Sequence, residues 1–421
     1  MRRETAFLAV AVALMLTLTP LVAHATDGYF TNGYGTCSQG MGGAGVAFAL
    51  GQISPATNPA ALAAGSAGWE LGFGLFNPNR SYDVTGAPSG YPGTFGLAPG
   101  EVSSGSSLFV MPHFGFSTRV GGHSVVGLAL YGNGGMNTNY DTKTFGFSPT
   151  GVNMSQLFIA PTWATTFGGC HSVGVTAVLA YQMFKVEGLQ AFSPFSSNPA
   201  KLTNNSTAGA FGGGVRVGYL GEWSPMFSFG ASYQSRVYMS TFDAYSGLFA
   251  EQGDFDVPSN WTLGIGLKPT KALDLAFDVQ QIRYSEVQSV GNPMLPNLMQ
   301  APLGAAGGAG FGWQDMTVFK AGVQFRAGGG WTWRGGYSYG NQPVPTSEVL
   351  FNIIAPGVTQ QHATFGFSKE VAPHRSFDFA LVRAFNATVT GANPLEAPGQ
   401  QTIALNMDQW VFTFGYSVSF K

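Results

Sequence analysis

The sequence predicts an all-β fold, a transmembrane antiparallel β-barrel of about 14 strands with an N-terminal plug, or hatch, in the lumen. Only 10% of the 421 residues are charged, whereas Gly (60) and Phe (35) are abundant, a composition that favours strands and turns over helices. Beyond the first 25 residues, no apolar run reaches the roughly 18 residues that a membrane helix needs. Apolar residues instead alternate with small or polar ones.

The alternation is clearest at the C-terminus, where two sets of side chains take opposite faces of one segment. One set is Trp410, Phe412, Phe414, Tyr416, Val418 and Phe420, and the other is Val411, Thr413, Gly415, Ser417 and Ser419. In a membrane barrel the aromatic face meets lipid and the small polar face lines the lumen; in a soluble sandwich the aromatic face forms a core. One strand does not decide between the two.

The full set of alternating segments favours the barrel. Long and tight connections alternate between them, as in bacterial outer-membrane barrels with short periplasmic turns and long extracellular loops. The segments are residues 69–82, 106–120, 123–132, 154–168, 172–187, 208–222, 226–241, 258–268, 272–285, 314–326, 331–340, 361–370, 375–388 and 402–420.

The N-terminus indicates export. Arg2 and Arg3 precede an apolar stretch, residues 7–22, and Ala-His-Ala at 23–25 supplies the small residues of a cleavage site. We therefore divide the chain into a cleaved signal peptide (1–25), a plug (26–68) and a barrel (69–421), and expect the mature protein in the bacterial outer membrane with lipid around it. The Gly- and Ala-rich residues after the signal lack strand alternation, so a plug inside the lumen is the economical prediction.

Composition also excludes several functions. The net charge is −2 and there is no basic run, so nucleic acid is not an expected partner. The six histidines show no metal-ligand spacing, and we expect no metal and no cofactor.

Two short motifs resemble enzyme signatures without their context. Residues 40–45 fit G-x-G-x-x-G but follow the signal rather than a strand. Residues 336–340 fit G-x-S-x-G, but Ser338 ends an alternating strand, and nothing in the sequence pairs it with His113 or His362. We predict no catalytic residues and no enzyme; a barrel lipase would need Ser338 beside a histidine.

Several motifs resemble the FadL/TodX family of outer-membrane transporters for long-chain fatty acids and aromatic hydrocarbons. The resemblance covers essentially the whole mature chain, although Lys421 follows Phe420, where such barrels commonly end on an aromatic residue. The motifs are DGYF (27–30), GYG (33–35), QGMGGAG (39–45), TNPAAL (57–62), SYQSR (232–236), DVQQIRYS (278–285) and GWQD (312–315).

The resemblance implies a monomeric barrel, a hatch carrying Asn58, Pro59 and Ala60, and a kinked third strand that opens a side passage. The third strand should end near Tyr131, and the glycines that follow, Gly132, Gly134 and Gly135, favour a bulge or bend. Such a gap would release an apolar molecule sideways into lipid and avoid water, where each CH₂ costs about 0.8 kcal/mol.

The substrate class stays open between acids and hydrocarbons. Arg216, Arg236 and Lys320 have inward parity and could bind a carboxylate, but Asp274 and Asp278, also inward, could neutralise them. If the cations are paired with these aspartates, a neutral hydrocarbon is as well supported a substrate as a fatty acid. Phe192 and Phe195 in a long loop are further candidates, for a hydrophobic capture site at the extracellular surface.

The two cysteines are candidates for a disulfide. Cys37 falls in the plug and Cys170 in a predicted periplasmic turn, and the periplasm is oxidising. A bond between them would pin the plug.

These observations together predict passive uptake of hydrophobic small molecules across the outer membrane, with lateral release. The alternative is a non-specific porin or a structural barrel. An open aqueous lumen would favour that alternative, and a plugged lumen with apolar pockets would favour the transporter.

Overall fold

The computed structural model describes residues 27–420 as sixteen strands in one sheet, with a few short helices. The predicted signal peptide lies outside these residues. The strands are β1 (Gly68–Thr85), β2 (Gly100–Ser103), β3 (Phe109–Val120), β4 (Ser124–Tyr140), β5 (Thr150–Phe167), β6 (His171–Glu187), β7 (Ala208–Ser224), β8 (Phe227–Gln234), β9 (Tyr238–Met239), β10 (Asn260–Thr270), β11 (Leu273–Ile282), β12 (Met316–Gly328), β13 (Trp331–Gly340), β14 (Gln361–Ala372), β15 (Arg375–Ala392) and β16 (Thr402–Ser419).

The sheet closes on itself. β1 pairs antiparallel with β16 along its whole length, from Gly68 opposite Ser419 to Thr85 opposite Thr402. β2 and β9 are short additions on β1 and β7, so fourteen strands form the barrel wall. Closure leaves no open sheet edge in lipid, which is why strands can cross a membrane in this form. The predicted fourteen-stranded antiparallel barrel is confirmed.

The strand faces follow the alternation in the sequence. Trp410 and Phe412 are 37% and 39% exposed on the outer wall, whereas Val411 and Thr413 between them are buried inside. No helix among residues 27–420 is long and apolar enough to cross a membrane. The exposed outer band continues around the wall with Phe73, Trp163, Leu179, Val215, Tyr233, Leu263, Phe277, Phe319, Tyr337 and Phe365.

Strand β4 differs most from its prediction. It continues to Tyr140 rather than ending near Tyr131, because a bulge between Gly132 and Gly134 lets it keep pairing with β5. What ends at Tyr131 is the pairing with β3. The bulged Asn133 interrupts the alternation, which is why these residues read as the start of a loop.

The helices lie in the plug, residues 27–67, and in the loops at the end of the barrel opposite the tight turns. A large apolar cluster joins plug residues Tyr29, Phe30 and Ile53 to the loops and the upper inner wall. The helices are α1 (Thr36–Gly40), α2 (Ala61–Ala64), α3 (Ala250–Gly253), α4 (Gln288–Gly291), α5 (Asn297–Gln300) and α6 (Val349–Asn352), with 3-10 turns at Ser54–Ala56, Gln190–Phe195, Pro199–Lys201, Asp243–Tyr245, Tyr284–Glu286 and Thr346–Glu348.

Candidate functional site

The plug is hydrogen-bonded to the inner wall of the barrel. The backbone amides of Gly45 and Val46 both donate to Asp278 Oδ2, at 2.7 and 2.9 Å. Three strands further along the wall, the Gly42 amide donates to Thr364 Oγ1 at 2.8 Å. These bonds satisfy plug amides that the lumen would otherwise leave without partners, and they hold the segment across the barrel.

The hatch residues form one of these attachments. Asn58 Nδ2 donates to Val46 O within the plug and to Tyr219 O on β7, at 2.8 and 2.9 Å, while Asn58 Oδ1 accepts from the Ala60 amide. A Cβ atom on Gly218 would lie 2.0 Å from Asn58 Oδ1 and 2.8 Å from the Pro59 ring, so a glycine is needed there. The tripeptide is thus packed on the wall.

A row of polar side chains crosses four neighbouring strands beneath the plug. Asp278, Lys320, Ser338 and His362 occupy matching positions on β11 to β14. Contrary to the expectation from sequence, Ser338 does have a histidine partner, since its Oγ lies 3.1 Å from His362 Nδ1. The pairing of β13 with β14 places Ser338 opposite His362. The G-x-S-x-G motif gives no information about this pairing.

This pair does not have the geometry of a hydrolase site. Asn32 Nδ2 of the plug donates to Ser338 Oγ at 2.6 Å, and both Ser338 and His362 are fully buried. His362 Nε2 has no hydrogen-bond partner among the described residues, so no carboxylate orients the ring. The row therefore anchors the plug.

All three predicted lumen cations are engaged within the protein. Lys320 pairs with Asp27 of the plug at 3.5 Å and donates to Gln280. Arg216 donates to Pro55 O of the plug, to Tyr131 Oη and to Gln234. Arg236 pairs with two loop carboxylates, Asp256 at 2.6 Å and Asp254 at 3.4 Å.

The partners of these cations are therefore not the two aspartates weighed from sequence. Asp274 instead pairs with Arg326 near the turns, and Asp278 binds plug amides. Within residues 27–420, no group of His, Cys, Asp and Glu side chains is arranged to hold a metal ion.

Strand pairing in the wall is interrupted between β3 and β4. Their pairing stops at His113 and Tyr131, and contact resumes only where the Gly105 amide donates to Asn139 O. Between these points, residues 132–138 of β4 have no β3 partner. This interval is the side window, and the three predicted kink glycines, Gly132, Gly134 and Gly135, lie at its lower end.

The plug covers the lower part of the side window. The Thr31 amide donates to Asn133 O and the Gly135 amide donates to Tyr29 O, each at 3.2 Å. Plug residues thus take the place that β3 would fill. A Cβ atom on Gly134 would lie 1.7 Å from Tyr29 O, so the approach depends on glycine.

Above the plug, the long loops line an apolar cavity, which we call the loop cavity. Phe192 lines it, and Phe195 packs against the same apolar cluster without lining the cavity. No charged residue lies in its wall. The full lining is Phe145, Phe184, Leu189, Phe192, Leu248, Phe249, Ser289, Leu303, Ala309, Gly310, Phe311, Phe351 and Ile354.

A second cavity, the inner cavity, lies beside the side window. Phe311 and Ile354 line the loop cavity and Trp313 and Ala355 line the inner cavity, so the two cavities are neighbours. Trp313 stands at this boundary, its indole fixed by a 2.6 Å hydrogen bond to Asn352 Oδ1, and its ring is 5.8 Å from that of Tyr29. The inner cavity is lined by Phe76, Arg80, Gly135, Met136, Asn137, Trp313, Ala355, Pro356, Gly357 and Met407.

Sequence reasoning missed Arg80 and Trp313. Arg80 lies in the first predicted segment with the same inward parity as Phe76 and Tyr82, so parity alone could have found it. Trp313 lies in a predicted loop, and its position depends on the hydrogen bond to Asn352, for which the sequence carries no signal.

The predicted disulfide is wrong, because both cysteines are free thiols. Cys37 lines a polar cavity of about 1110 Å³ at the turn end of the barrel, 3.9 Å from Asp378. Cys170 is exposed in the tight turn between β5 and β6 and contacts Gly168 O. The plug is held by hydrogen bonds and an ion pair instead.

Comparison with known proteins agrees with this architecture. Residues 22–420 match the family described as outer membrane protein transport protein (OMPP1/FadL/TodX). The chain therefore belongs to this family of outer-membrane transport proteins.

Solved structures share the fold at low sequence identity. The toluene transporter TodX of Pseudomonas putida is 18% identical, with 92% of this chain and 99% of that chain covered and a TM-score of 0.66. The toluene transporter TbuX of Ralstonia pickettii is 20% identical, with 93% of this chain and 99% of that chain covered and a TM-score of 0.63. A FadL homologue of Pseudomonas aeruginosa is 16% identical, with 94% of this chain and 100% of that chain covered and a TM-score of 0.69.

One curated relative is closer in sequence over a short stretch. It is an uncharacterized protein from the 5′ region of the phosphoenolpyruvate carboxykinase gene of Chlorobium limicola, 40% identical over 89 residues. The match covers 20% of this chain and 43% of that protein, so the chain spans less than half the length of this relative.

Proposed function

We propose that this protein takes up hydrophobic small molecules passively, capturing them in the loop cavity and releasing them sideways through the side window. The observation that carries the proposal is the loop cavity itself, whose wall is aromatic and aliphatic and holds no charged side chain. Small-molecule sites are lined mainly by hydrophobic and aromatic side chains, as this cavity is. Similarity to toluene transporters and to a FadL homologue supports the same class of cargo.

The route downward also favours hydrophobic cargo. The loop cavity borders the inner cavity at Trp313, and the inner cavity contacts β4 at Gly135 to Asn137, inside the side window. The plug blocks the straight path down the barrel through its bonds to Asp278 and Thr364. Sideways exit into lipid spares an apolar molecule the cost of re-entering water.

Proteoliposomes separate uptake from a porin. We expect the reconstituted protein to speed transfer of labelled toluene and palmitate into the bilayer while leaving the membrane closed to a small sugar. Phe192→Gln should weaken binding of both compounds at least about tenfold, because it places an amide in the apolar wall. Phe147→Gln, at an exposed loop position, is the matched control. Sugar entry with no hydrophobe transfer would overturn the proposal and favour the porin.

A further inference from the structure

We propose that Arg80 is the latch of the side window and the group that recognises an anionic headgroup, so that exit is favoured for amphiphilic carboxylates over neutral molecules. This inference rests on the proposed function and specifies the substrate class of the same route. Arg80 is the one ionisable side chain that lines the inner cavity, and the residue is only 6% exposed.

Arg80 spans the upper part of the side window. Its Nη1 donates to Asn137 O on β4, and its Nη2 donates to Ser106 O, which precedes β3. The guanidinium thus joins the two sides of the interval where strand pairing is missing. The plug at Tyr29 to Thr31 covers the lower part of this interval, and Arg80 holds the upper part.

The charge of Arg80 is uncompensated. Among the described residues, no Asp or Glu lies within ion-pair distance of it, and its Nε has no hydrogen-bond partner. Lys320 and Arg236, by contrast, are neutralised by carboxylates. A buried guanidinium that binds only neutral carbonyls gains from a carboxylate, because the planar fork matches carboxylate oxygens and charge-assisted bonds are stronger.

The rest of the cavity suits an alkyl chain. Phe76, Met136, Trp313 and Met407 line the inner cavity with Arg80, and the Phe109 ring centroid lies 5.7 Å from the guanidinium carbon. A carboxylate that enters from the loop cavity competes with Asn137 O and Ser106 O for the guanidinium. When Asn137 O and Ser106 O are released, the two sides of the window separate and the alkyl chain of the ligand passes into lipid. A neutral molecule does not compete for the guanidinium, so it passes the closed latch more slowly than a carboxylate does.

The test compares palmitate with methyl palmitate, which differ only at the headgroup, in proteoliposomes at a pH where the acid is ionised. We expect wild type to transfer the acid faster than the ester. Arg80→Gln should lower the ratio of acid to ester transfer rates by about 10- to 100-fold, which corresponds to the loss of one charge-assisted hydrogen bond. Arg80→Lys, which keeps the charge but not the fork, should retain part of the preference.

Arg383→Gln, an outer-wall arginine paired with Asp408, is the matched control and should change neither rate. Heat-modifiable electrophoretic mobility checks that each variant is folded. An acid-to-ester ratio that is the same in wild type and Arg80→Gln would overturn the latch while uptake stands. If wild type moves neither compound, uptake itself fails.

Discussion

Asp27 of the plug and Lys320 of β12 form an ion pair of 3.5 Å inside the lumen, with both side chains at least 95% buried. Lys320 is therefore an anchor of the plug, and its charge is already neutralised. A carboxylate ligand would have to displace Asp27 and leave it buried without a partner, which is costly.

Removing Lys320 should loosen the plug without weakening fatty-acid binding. We expect Lys320→Met to cost about 3 to 5 kcal/mol in plug docking, because Asp27 stays buried alone. Hydrogen exchange at residues 27–31 measures this loss, and Asp27→Asn in the same protein should recover part of it. Lys268→Met, at an exposed pair with Glu222, is the control. A large drop in palmitate affinity with unchanged exchange would show that Lys320 is the acid site.

A methyl group on Gly134 should expel the plug from the side window. Its Cβ atom would lie 1.7 Å from Tyr29 O, so Gly134→Ala cannot keep the hydrogen bonds of Tyr29 and Thr31 to β4. We expect fast exchange of amides 29–31 in an otherwise intact barrel. Gly213→Ala on β7, where the nearest atom is 3.9 Å away, should behave as wild type. Protected amides in Gly134→Ala would mean that the plug does not occupy the window.

The two thiols should differ in reactivity. Burial raises the pKa of Cys37 to about 12, so almost none of it is thiolate near neutral pH, the form that alkylates. Cys170 is exposed. Mass spectrometry after a short maleimide treatment should find one label, on Cys170, and a second only after unfolding. Equal labelling of the folded protein, or a mass change on reduction, would contradict this arrangement.

The loop beside Arg236 should be more stable in mild acid. Burial, and then the neighbouring Asp256 carboxylate, raise the pKa of Asp254 to about 7, against the opposing charge of Arg236. Because the folded state holds this proton more tightly than the unfolded state, stability rises as pH falls through about 7 and is lost above it. Amides 250–257 should exchange more slowly at about pH 6 than at about pH 8, after correction for the intrinsic rate.

Asp254→Asn should remove most of this pH dependence, since the amide is neutral throughout and keeps its place between Asp256, Glu251 and Arg236. Asp243→Asn, in a neighbouring turn, is the control. An unchanged pH response in Asp254→Asn would assign the effect to another group.

The sequence predicts what depends on local alternation. Parity along each segment correctly placed Asp278, Lys320 and Arg216 inside the barrel and gave fourteen strands. Parity could not identify the partners of those side chains. The plug sequence has no hydrophobic periodicity, so the path that brings Asp27 to Lys320 could not be predicted. The extension of β4 to Tyr140 was missed for a related reason, since the bulge at Asn133 shifts the phase of the alternation.

Deletion of Asn133 tests lateral release most directly. Removing the bulged residue lets β4 continue in regular register past Gly132, which would close the side window while the loop cavity stays intact. Deletion of Val371, at the bulge beside the β14–β15 turn, is the matched control. We expect the Asn133 deletion to bind palmitate in the loop cavity as wild type does but to lose transfer into the bilayer. Transfer at the wild-type rate, with the window shown closed, would contradict lateral release.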